Sequence, residues 1–185
     1  DGKINKEVFA RIPNLEILEC FSSNIKERFS SDFKERNLHN KLVDAFSCGN
    51  QKEIYDIFFD MLQKYVSIRD TATKAPLENY YHGFLNGIFT SCEKLVSEYH
   101  SNYESGNGYP DITFKAERNT KAVIIEIKAT SNEEDMDELA TNALSQIEEK
   151  NYEQPFIKQS KITEIYAYGL VFCKKDCLVF CKKLK

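Results

Sequence analysis

The sequence predicts an α/β domain in which a mixed β-sheet is flanked by helices, preceded by an N-terminal helical extension. Two observations predict this class. Apolar residues recur at intervals of three and four in the first half, as in helices packed on a core, and alternate every second residue after the glycine-rich turn at 105–108, as in strands. A further helical pattern at 133–151 separates the third predicted strand from the fourth. We therefore predict a helical extension at 1–75 and an α/β core at 76–185.

The composition suits one globular domain, or a small domain wrapped by additional helices. Of the 185 residues, 42% are hydrophobic and 29% are charged, which provides for a sizeable core and argues against disorder. The net charge of -4 argues against a uniformly basic binder, although a metal site or a local Lys/Arg groove can hold phosphate on an acidic protein. Charge therefore neither supports nor excludes nucleic acid as a partner.

The sequence has no segment typical of a membrane span or of a signal peptide. Its apolar runs are shorter than the roughly 18 residues that a span requires, and the N-terminus lacks a cationic stretch followed by an apolar one. We expect a cytoplasmic protein that has no membrane partner. The chain begins with Asp1 rather than Met, which suggests a fragment of a longer protein.

The chain contains six cysteines without a CxxC pair, namely Cys20, Cys48, Cys92, Cys173, Cys177 and Cys181. They lie in apolar periodic segments, so we expect buried, reduced thiols. A zinc site formed by the last three, spaced four apart, is the alternative. The lack of histidine partners disfavours that alternative.

Three helices are predicted ahead of the core, at 14–29, 38–46 and 54–65. The last of them ends before the polar stretch 69–75. Their apolar stripes are typical of a scaffold. A longer helix at 77–99 follows Pro76 and is apolar on nearly two sides, which suits a helix held between the N-terminal helices and the sheet.

The second half of the core predicts strands. They are placed at 98–104, 111–116, 122–129, 165–173 and 177–181. The turn from Lys174 to Asp176 makes the last two strands a hairpin.

The predicted strand at 122–129 carries two charged residues on one face. Because side chains alternate along a strand, Glu126 and Lys128 project together while Ile125 and Ile127 face the opposite side. Opposite charges in an otherwise apolar strand are unfavourable unless they pair, bind a metal or line a wet cleft. Asp111 opens the preceding strand, and a short hairpin at 118–120 would lay that strand beside this pair.

These residue types together predict hydrolysis of phosphodiesters. The carboxylates of Asp111 and Glu126 and the carbonyl of Ile127 suit a hard cation such as Mg²⁺ or Mn²⁺. The metal would lower the pKa of a bound water and stabilise the developing phosphate charge, while Lys128 orients or helps deprotonate that water. Pro-Asp followed fifteen positions later by Glu-x-Lys is a weak pattern by itself, and a surface ion pair is the alternative interpretation.

Five motifs in register make the pattern more specific. They are residues 78–85 (ENYYHGFL), 101–112 (SNYESGNGYPDI), 125–128 (IEIK), 143–147 (ALSQI) and 168–172 (YGLVF). Over about 76–173 they resemble the PD-(D/E)XK nuclease domains that follow an AAA-ATPase-like region. The opening Ile12-Pro13-Asn14 also resembles the start of that family's C-terminal part. The resemblance implies a restriction-endonuclease-like core, divalent-metal-dependent nuclease activity with DNA as the expected substrate, and an upstream ATPase-like domain as a further partner.

The resemblance also implies roles for residues outside the triad. Glu78 matches a helix glutamate that faces the metal and can add a ligand through water. Its alternative is an exposed carboxylate favoured by the helix dipole. Gln146 matches a glutamine that contacts backbone or water near the active site, and its alternative is an ordinary residue at the rim.

The sequence departs from the family's pattern at two positions that are expected to contact the substrate. Lys150 stands where related sequences have a tyrosine, four residues after Gln146, and Tyr152 lies off that helical face. Tyr109-Pro110 stands where many members have an arginine before the first aspartate. The metal ligands are retained, so we expect an altered contact with substrate rather than an inactive centre.

Three residues are candidates for substrate contact. Lys150 can bind phosphate, and Tyr152 lies close to it in sequence. His82, one turn from Glu78, can reach the site or the substrate, and a hydrogen-bonded helix histidine is its alternative.

Two other functions fit the same residues. One is a catalytically inactive module of this fold that binds nucleic acid or a protein partner, because a fold can host several functions. The acidic charge balance favours it slightly. The other is a regulatory appendage of an AAA-type ATPase, with activity seen only in the longer protein.

Overall fold

The computed structural model of the protein describes residues 37–66 and 76–185. The helix predicted at 14–29, the polar stretch at 69–75 and Cys20 lie outside the described residues. In the part that the structure describes, no helix is both long enough and apolar enough to cross a bilayer.

Helices and strands follow one another in the predicted order. Helices α1 (Leu38–Cys48) and α2 (Gln51–Tyr65) come first and α3 (Leu77–Ser91) follows. The rest of the chain forms β1 (Ser97–Ser101), β2 (Ile112–Ala116), β3 (Lys121–Thr130), a 3-10 turn (Glu133–Asp135), α4 (Met136–Glu149), the unpredicted short helix α5 (Gln154–Ile157), β4 (Glu164–Cys173) and β5 (Asp176–Lys183).

The boundary between α1 and α2 shows how local chemistry sets these elements. Gly49 ends α1 with a φ of 76°, a left-handed conformation that glycine adopts without strain. The side-chain oxygen of Asn50 then accepts a hydrogen bond from the Glu53 N–H at 3.2 Å and caps the start of α2. The two separate helices predicted at 38–46 and 54–65 are confirmed, and their boundary lies at Gly49-Asn50.

The five strands form one mixed sheet in the order β1-β2-β3-β4-β5. Neighbouring strands are antiparallel except β3 and β4, which run parallel from the pair Lys121 and Glu164 to the pair Thr130 and Cys173. Parallel neighbours need a crossover connection, which α4 provides. The predicted mixed sheet flanked by helices is therefore confirmed.

Helices α1, α2 and α3 cover one face of the sheet, which we call the aromatic face. At its centre the ring of Phe46 lies 4.8 to 6.1 Å, centroid to centroid, from the rings of Phe58, Phe89, Phe114 and Tyr168. Edge-on and tilted rings at these distances attract one another as well as burying apolar area. Because α1 and α2 share this core with the strands, they are part of the scaffold of the sheet. The division at residue 75 stays a prediction.

Helix α4 covers the opposite face, which we call the polar face. Gly169 of β4 lies beneath the helix, where a Cβ would stand 2.5 Å from the carbonyl oxygen of Ala140 and 3.0 Å from the Cβ of Ala143. The missing side chain therefore allows the close approach of α4 to the sheet. Buried polar residues of the strands, Lys115 and Glu126 among them, lie on this face.

The prediction of one helix over 77–99 is wrong at its C-terminal end. Helix α3 stops at Ser91 and the chain enters β1 six residues later. The hydroxyl groups of Thr90 and Ser91 donate to carbonyl oxygens of the preceding turn, which competes with helical hydrogen bonding. The apolar residues up to Val96 and Tyr99 have a spacing that also fits a helix. In the structure Val96 lies just before β1 and Tyr99 lies within it.

The cysteine prediction is partly confirmed. Among the described cysteines all are free thiols, and Cys92, Cys173 and Cys177 are buried. Cys48 is exposed at the last position of α1 and Cys181 is half-buried, so burial was wrongly predicted for Cys48. Within 37–66 and 76–185 no group of three His, Cys, Asp or Glu side chains forms a metal cluster, so the zinc alternative gains no support.

Candidate active site

The candidate site lies where β3 continues beyond the end of β2. The pairing of the two strands stops at Ile112 with Ile125, so β3 has no β2 neighbour from Glu126 onward. Asp111 immediately precedes β2, and its Oδ2 accepts a hydrogen bond from the Ile127 N–H at 2.7 Å. The Asp111 side chain thus takes the hydrogen bond that a longer β2 would have made. Its carboxylate is thereby placed beside the part of β3 that carries Glu126 and Lys128.

Three side chains of β3 and α4 form a closed hydrogen-bonded triangle. Glu126 is only 3% exposed, and its Oε1 accepts from Lys128 Nζ at 3.1 Å and from Gln146 Nε2 at 2.5 Å. Lys128 Nζ also donates to Gln146 Oε1 at 2.9 Å. The triangle holds the ammonium and one carboxylate oxygen at fixed positions, because each has two partners.

The second carboxylate oxygen of Glu126 is left without a partner. Among the described residues no group donates a hydrogen bond to Oε2, although this atom is buried. A buried acceptor without a hydrogen bond costs about 1–3 kcal/mol, more when it is charged. An unsatisfied carboxylate oxygen beside a second carboxylate is therefore a place where a cation would be stabilised.

Burial raises the pKa of both carboxyl groups. For Asp111 removal from water is the largest cause, and the hydrogen bond from the Ile127 N–H opposes it, as do nearby positive charges. For Glu126 burial is again the largest cause, the charge of Asp111 adds to it, and Lys128 opposes it, so the pKa is raised to about 7. Each carboxylate disfavours ionisation of the other, and a cation between them would offset that repulsion.

The donor set fits a hard divalent ion. In an extended strand the N–H and C=O of one residue point to the same side, so the Ile127 carbonyl faces the side on which its N–H meets Asp111. Asp111, Glu126 and this carbonyl offer oxygen atoms only. Two carboxylates with a carbonyl match an ion that keeps several waters, as Mg²⁺ does, rather than zinc in a closed nitrogen and sulfur site.

Glu78 and His82 approach the site from α3. Glu78 is exposed in the first turn, and its negative charge contributes to the raised pKa of Glu126. His82 Nε2 lies 3.2 Å from the Asp111 carbonyl oxygen and 3.0 Å from the Ser101 hydroxyl. His82 therefore contacts the main chain of the first acidic residue, which agrees with the alternative of a hydrogen-bonded helix histidine.

Buried Asn86 and half-buried Ser101, which the sequence did not single out, support His82. Asn86 Nδ2 donates to the Ser101 hydroxyl at 3.2 Å, and its Oδ1 accepts from the Tyr99 hydroxyl. The chain of contacts runs from Tyr99 through Asn86 and Ser101 to His82 and the Asp111 carbonyl. An available signal was the asparagine inside the apolar stripe of α3, because a buried amide needs polar partners.

The two other candidates for substrate contact occupy different environments. Lys150 is exposed at the C-terminal end of α4, one turn beyond Gln146. Tyr152 is 2% exposed and packs with apolar side chains in a core under α4 and α5. The structure leaves Lys150 exposed and keeps Tyr152 inside the fold, so the burial of Tyr152 does not favour the expected direct contact with substrate.

Comparison with known families identifies the class of this domain. A family model described as the PD-(D/E)XK nuclease superfamily matches residues 77–181. The chain therefore belongs to the PD-(D/E)XK nuclease superfamily. Nuclease-type domains of this superfamily act on nucleic acid and generally use divalent metals. A search of curated proteins found no match.

Proposed function

We propose that this chain is a nuclease that hydrolyses phosphodiester bonds of DNA and uses Mg²⁺ or Mn²⁺. One observation carries the proposal: the Asp111 carboxylate is bonded to the main chain of β3 next to Glu126, and the buried Oε2 of Glu126 has no partner among the described residues. A structural ion pair does not need a second buried carboxylate or an unsatisfied oxygen. A cation site does.

The acidic residues hold the ion in this proposal. Asp111, Glu126 and the Ile127 carbonyl are the ligands, and Glu78 adds a contact through water from the first turn of α3. When bound, such an ion makes water acidic enough to attack a phosphodiester near neutral pH and offsets the negative charge of the phosphate. The buried carboxylates exclude bulk water from one side of the ligand set, which strengthens their interaction with a cation.

Lys128 acts on the nucleophile, and Gln146 supports Lys128. The ammonium of Lys128 has two of its donor directions occupied by Glu126 and Gln146, so a third is left to orient the attacking water and to stabilise charge on the phosphate. Gln146 positions Lys128 rather than touching the substrate. Lys150, exposed one helical turn further, provides a contact for a neighbouring phosphate.

Metal binding is the first test. Calorimetric titration of the chain with Mn²⁺ should give a saturable isotherm, and the melting temperature should rise with Mn²⁺ concentration because the ion binds the folded state. Asp111→Asn should remove both effects. The matched control is Asp176→Asn, because Asp176 also accepts a backbone N–H but lies on the β4–β5 hairpin, and this variant should behave as wild type.

Cleavage is the second test. With Mg²⁺ or Mn²⁺ present, linear and circular DNA, single strands and RNA form one substrate panel. Lys128→Ala should lower the cleavage rate by roughly 100-fold or more, since a preorganised group that stabilises the transition state is removed. Lys182→Ala, an exposed lysine of β5, is the control. Activity at the wild-type level in Asp111→Asn or Lys128→Ala would refute the assignment.

The same assays separate the alternatives. Binding of Mn²⁺ and of DNA without cleavage of any substrate in the panel would favour a catalytically inactive module. Cleavage that appears only with an ATPase-like region joined to the chain would favour the regulatory appendage.

A further inference from the structure

The loop between β1 and β2 carries the two most exposed large apolar side chains of the described residues. Tyr103 and Tyr109 are each 61% exposed, whereas Leu95 and Ile157, the other two in this class, are 37% and 42% exposed. A single exposed apolar side chain is ordinary, but two large exposed rings on one short loop indicate an interaction surface. Both rings stand on the segment that leads into Asp111, so their exposure is concentrated next to the candidate site.

The loop that presents these rings is anchored at several points. The Asn102 N–H donates to the Asp111 carbonyl oxygen at 3.0 Å, and the Asn107 N–H donates to the Lys150 carbonyl oxygen at 2.7 Å. Inside the loop Ser105 pairs with Gly108, and the Ser105 hydroxyl donates to a carbonyl of the segment after α4 at 2.9 Å. The backbone of the loop is therefore held in place, so little backbone entropy is lost on binding.

The anchors also set where the rings stand. Tyr103 follows the residue that is bonded to Asp111, and Tyr109 precedes Asp111 by two positions. The imidazole of His100 stacks on the Tyr103 ring with centroids 4.6 Å apart and planes inclined by 23°, which fixes the ring and covers one of its faces. The main-chain carbonyl of Lys150 accepts from Asn107, so the loop is also fixed to the C-terminal end of α4.

We propose that Tyr103 and Tyr109 form a stacking platform for the unpaired bases of a single-stranded nucleic acid whose backbone enters the metal site. The proposal rests on the proposed function and defines its substrate class. Aromatic rings stack on any base through its flat face, at about 1–3 kcal/mol for each base. Bases of an intact duplex are already stacked on one another, so their faces are not available to the rings.

Charge and composition favour this ligand over the other classes. Because the net charge is -4, the protein is not a uniformly basic binder of phosphates, so contacts with the bases would add to affinity from the metal site. A protein partner would need a continuous apolar surface, but Asn102, Glu104 and Asn107, all exposed, separate the two rings along the loop.

Fluorescence anisotropy of the 185-residue chain tests the platform. The probes are a labelled single strand of mixed sequence, the same strand with abasic sites, and the corresponding blunt duplex, each at one fixed salt concentration with Ca²⁺ in place of Mg²⁺. We expect wild type to bind the intact strand roughly fivefold or more tightly than the abasic strand, since 1 kcal/mol corresponds to about fivefold. The strand is supplied as DNA and as RNA, and preference for bases in either supports the platform.

Variants assign the preference to the rings. Tyr103→Ala, Tyr109→Ala and the double variant should lose it, whereas Tyr103→Phe and Tyr109→Phe should keep it because the ring is retained. Ile157→Ala, at an exposed apolar residue that ends α5, should behave as wild type. Equal affinity of wild type for intact and abasic strands, tighter binding of the duplex, or equal losses in the Phe and Ala variants would overturn the platform.

Failure of the platform and failure of the nuclease proposal give different results. Metal-dependent cleavage with no effect of the tyrosine substitutions on strand binding refutes the platform alone. Base-dependent strand binding without metal uptake or cleavage refutes the nuclease proposal and leaves the platform supported. The abasic probe needs only wild-type protein, so a misfolded variant does not prevent the test.

Discussion

The two faces of the sheet differ in what they bury. The aromatic face packs Val123, Ile125 and Ile127 of β3 against α1 to α3, together with apolar and aromatic side chains of β2 and β4. The polar face, under α4, buries Glu126 and Lys115 from neighbouring strands. Because side chains alternate, the same three strands supply both faces.

Apolar burial on one face allows a fold of this size to tolerate a charged site on the other. Apolar burial contributes about 25 cal/mol for each Å² removed from water, so the aromatic face supplies stability. Buried carboxylates lose hydration and oppose folding until a partner compensates them. The polar face also packs two smaller apolar clusters, and together with the aromatic face these offset the cost of its buried charges.

The largest expected effect is on the aromatic face. Phe46→Ala removes the ring that contacts four others and should lower the free energy of unfolding by about 3–5 kcal/mol, as large-to-small changes in cores do. Urea unfolding monitored by circular dichroism gives the value. Below the new melting temperature Mn²⁺ should still bind, because no site residue contacts the ring. Loss of metal binding in the folded variant would show that the faces are not separable.

Gly169→Ala should disturb the polar face at a single point. The added Cβ would meet the backbone of α4 at Ala140, so the helix must move away from the sheet. This movement would increase the distance between Gln146 and Glu126. We expect a loss of about 1–3 kcal/mol in stability, typical of overpacking, with weaker Mn²⁺ binding. The control is Gly108→Ala, where the added Cβ meets a tyrosine side chain at 3.1 Å instead of backbone. Unchanged metal affinity in Gly169→Ala would contradict the positioning role of α4.

In the absence of metal, Glu126→Gln should raise the free energy of unfolding above neutral pH, because it removes a buried negative charge. The pKa of Glu126 is raised to about 7 in the folded protein from an ordinary value of 4.5. Between these values the unfolded state binds fewer protons than the folded state, so stability falls as pH rises through about 7. At about pH 8 in chelator we expect the variant to be more stable than wild type by on the order of 2 kcal/mol.

Below about pH 4.5 the carboxyl group is protonated in both states, so this stability difference should vanish. Urea unfolding at a series of pH values in chelator provides both measurements. A difference that is independent of pH would mean that the Glu126 carboxyl is not destabilised by burial.

The smallest expected effect concerns the contacts behind Asp111. Ser101→Ala removes the hydroxyl shared by Asn86 and His82, so we expect a loss of about 1 kcal/mol in the free energy of Mn²⁺ binding, or about fivefold in affinity. Ser97→Ala is the control, because its hydroxyl contacts Asn119 at the other end of β1. Calorimetry should show weaker Mn²⁺ binding only in the first variant. Equal affinities would mean that these contacts do not position Asp111.

Much of the candidate site could be predicted because its signals are local. The shared face of Glu126 and Lys128 follows from alternation along one strand, and the hairpin after β2 places Asp111 beside them. The end of α3 could not be predicted in the same way. Val96 and Tyr99 keep an apolar spacing that suits a helix as well as a turn followed by a strand.

Contacts between distant segments needed the folded chain. Asn86 and Ser101 lie on different elements, and nothing in the sequence states that the amide of one meets the hydroxyl of the other. Tyr152 is close to Lys150 in sequence, yet it turns into the core while Lys150 faces solvent. The direction of a side chain after a helix end depends on the path of the backbone, which tertiary packing sets.

By itself the sequence determined the order of helices and strands and which residues of β3 share a face, because the periods of side chains along helices and strands are properties of the local backbone. Tertiary structure decided the rest of the site. How near Gln146 comes to Glu126 depends on the distance between α4 and the sheet, which the absent side chain of Gly169 sets. Whether an oxygen of Glu126 is left unpaired depends on every group packed around it, and no local pattern contains that information.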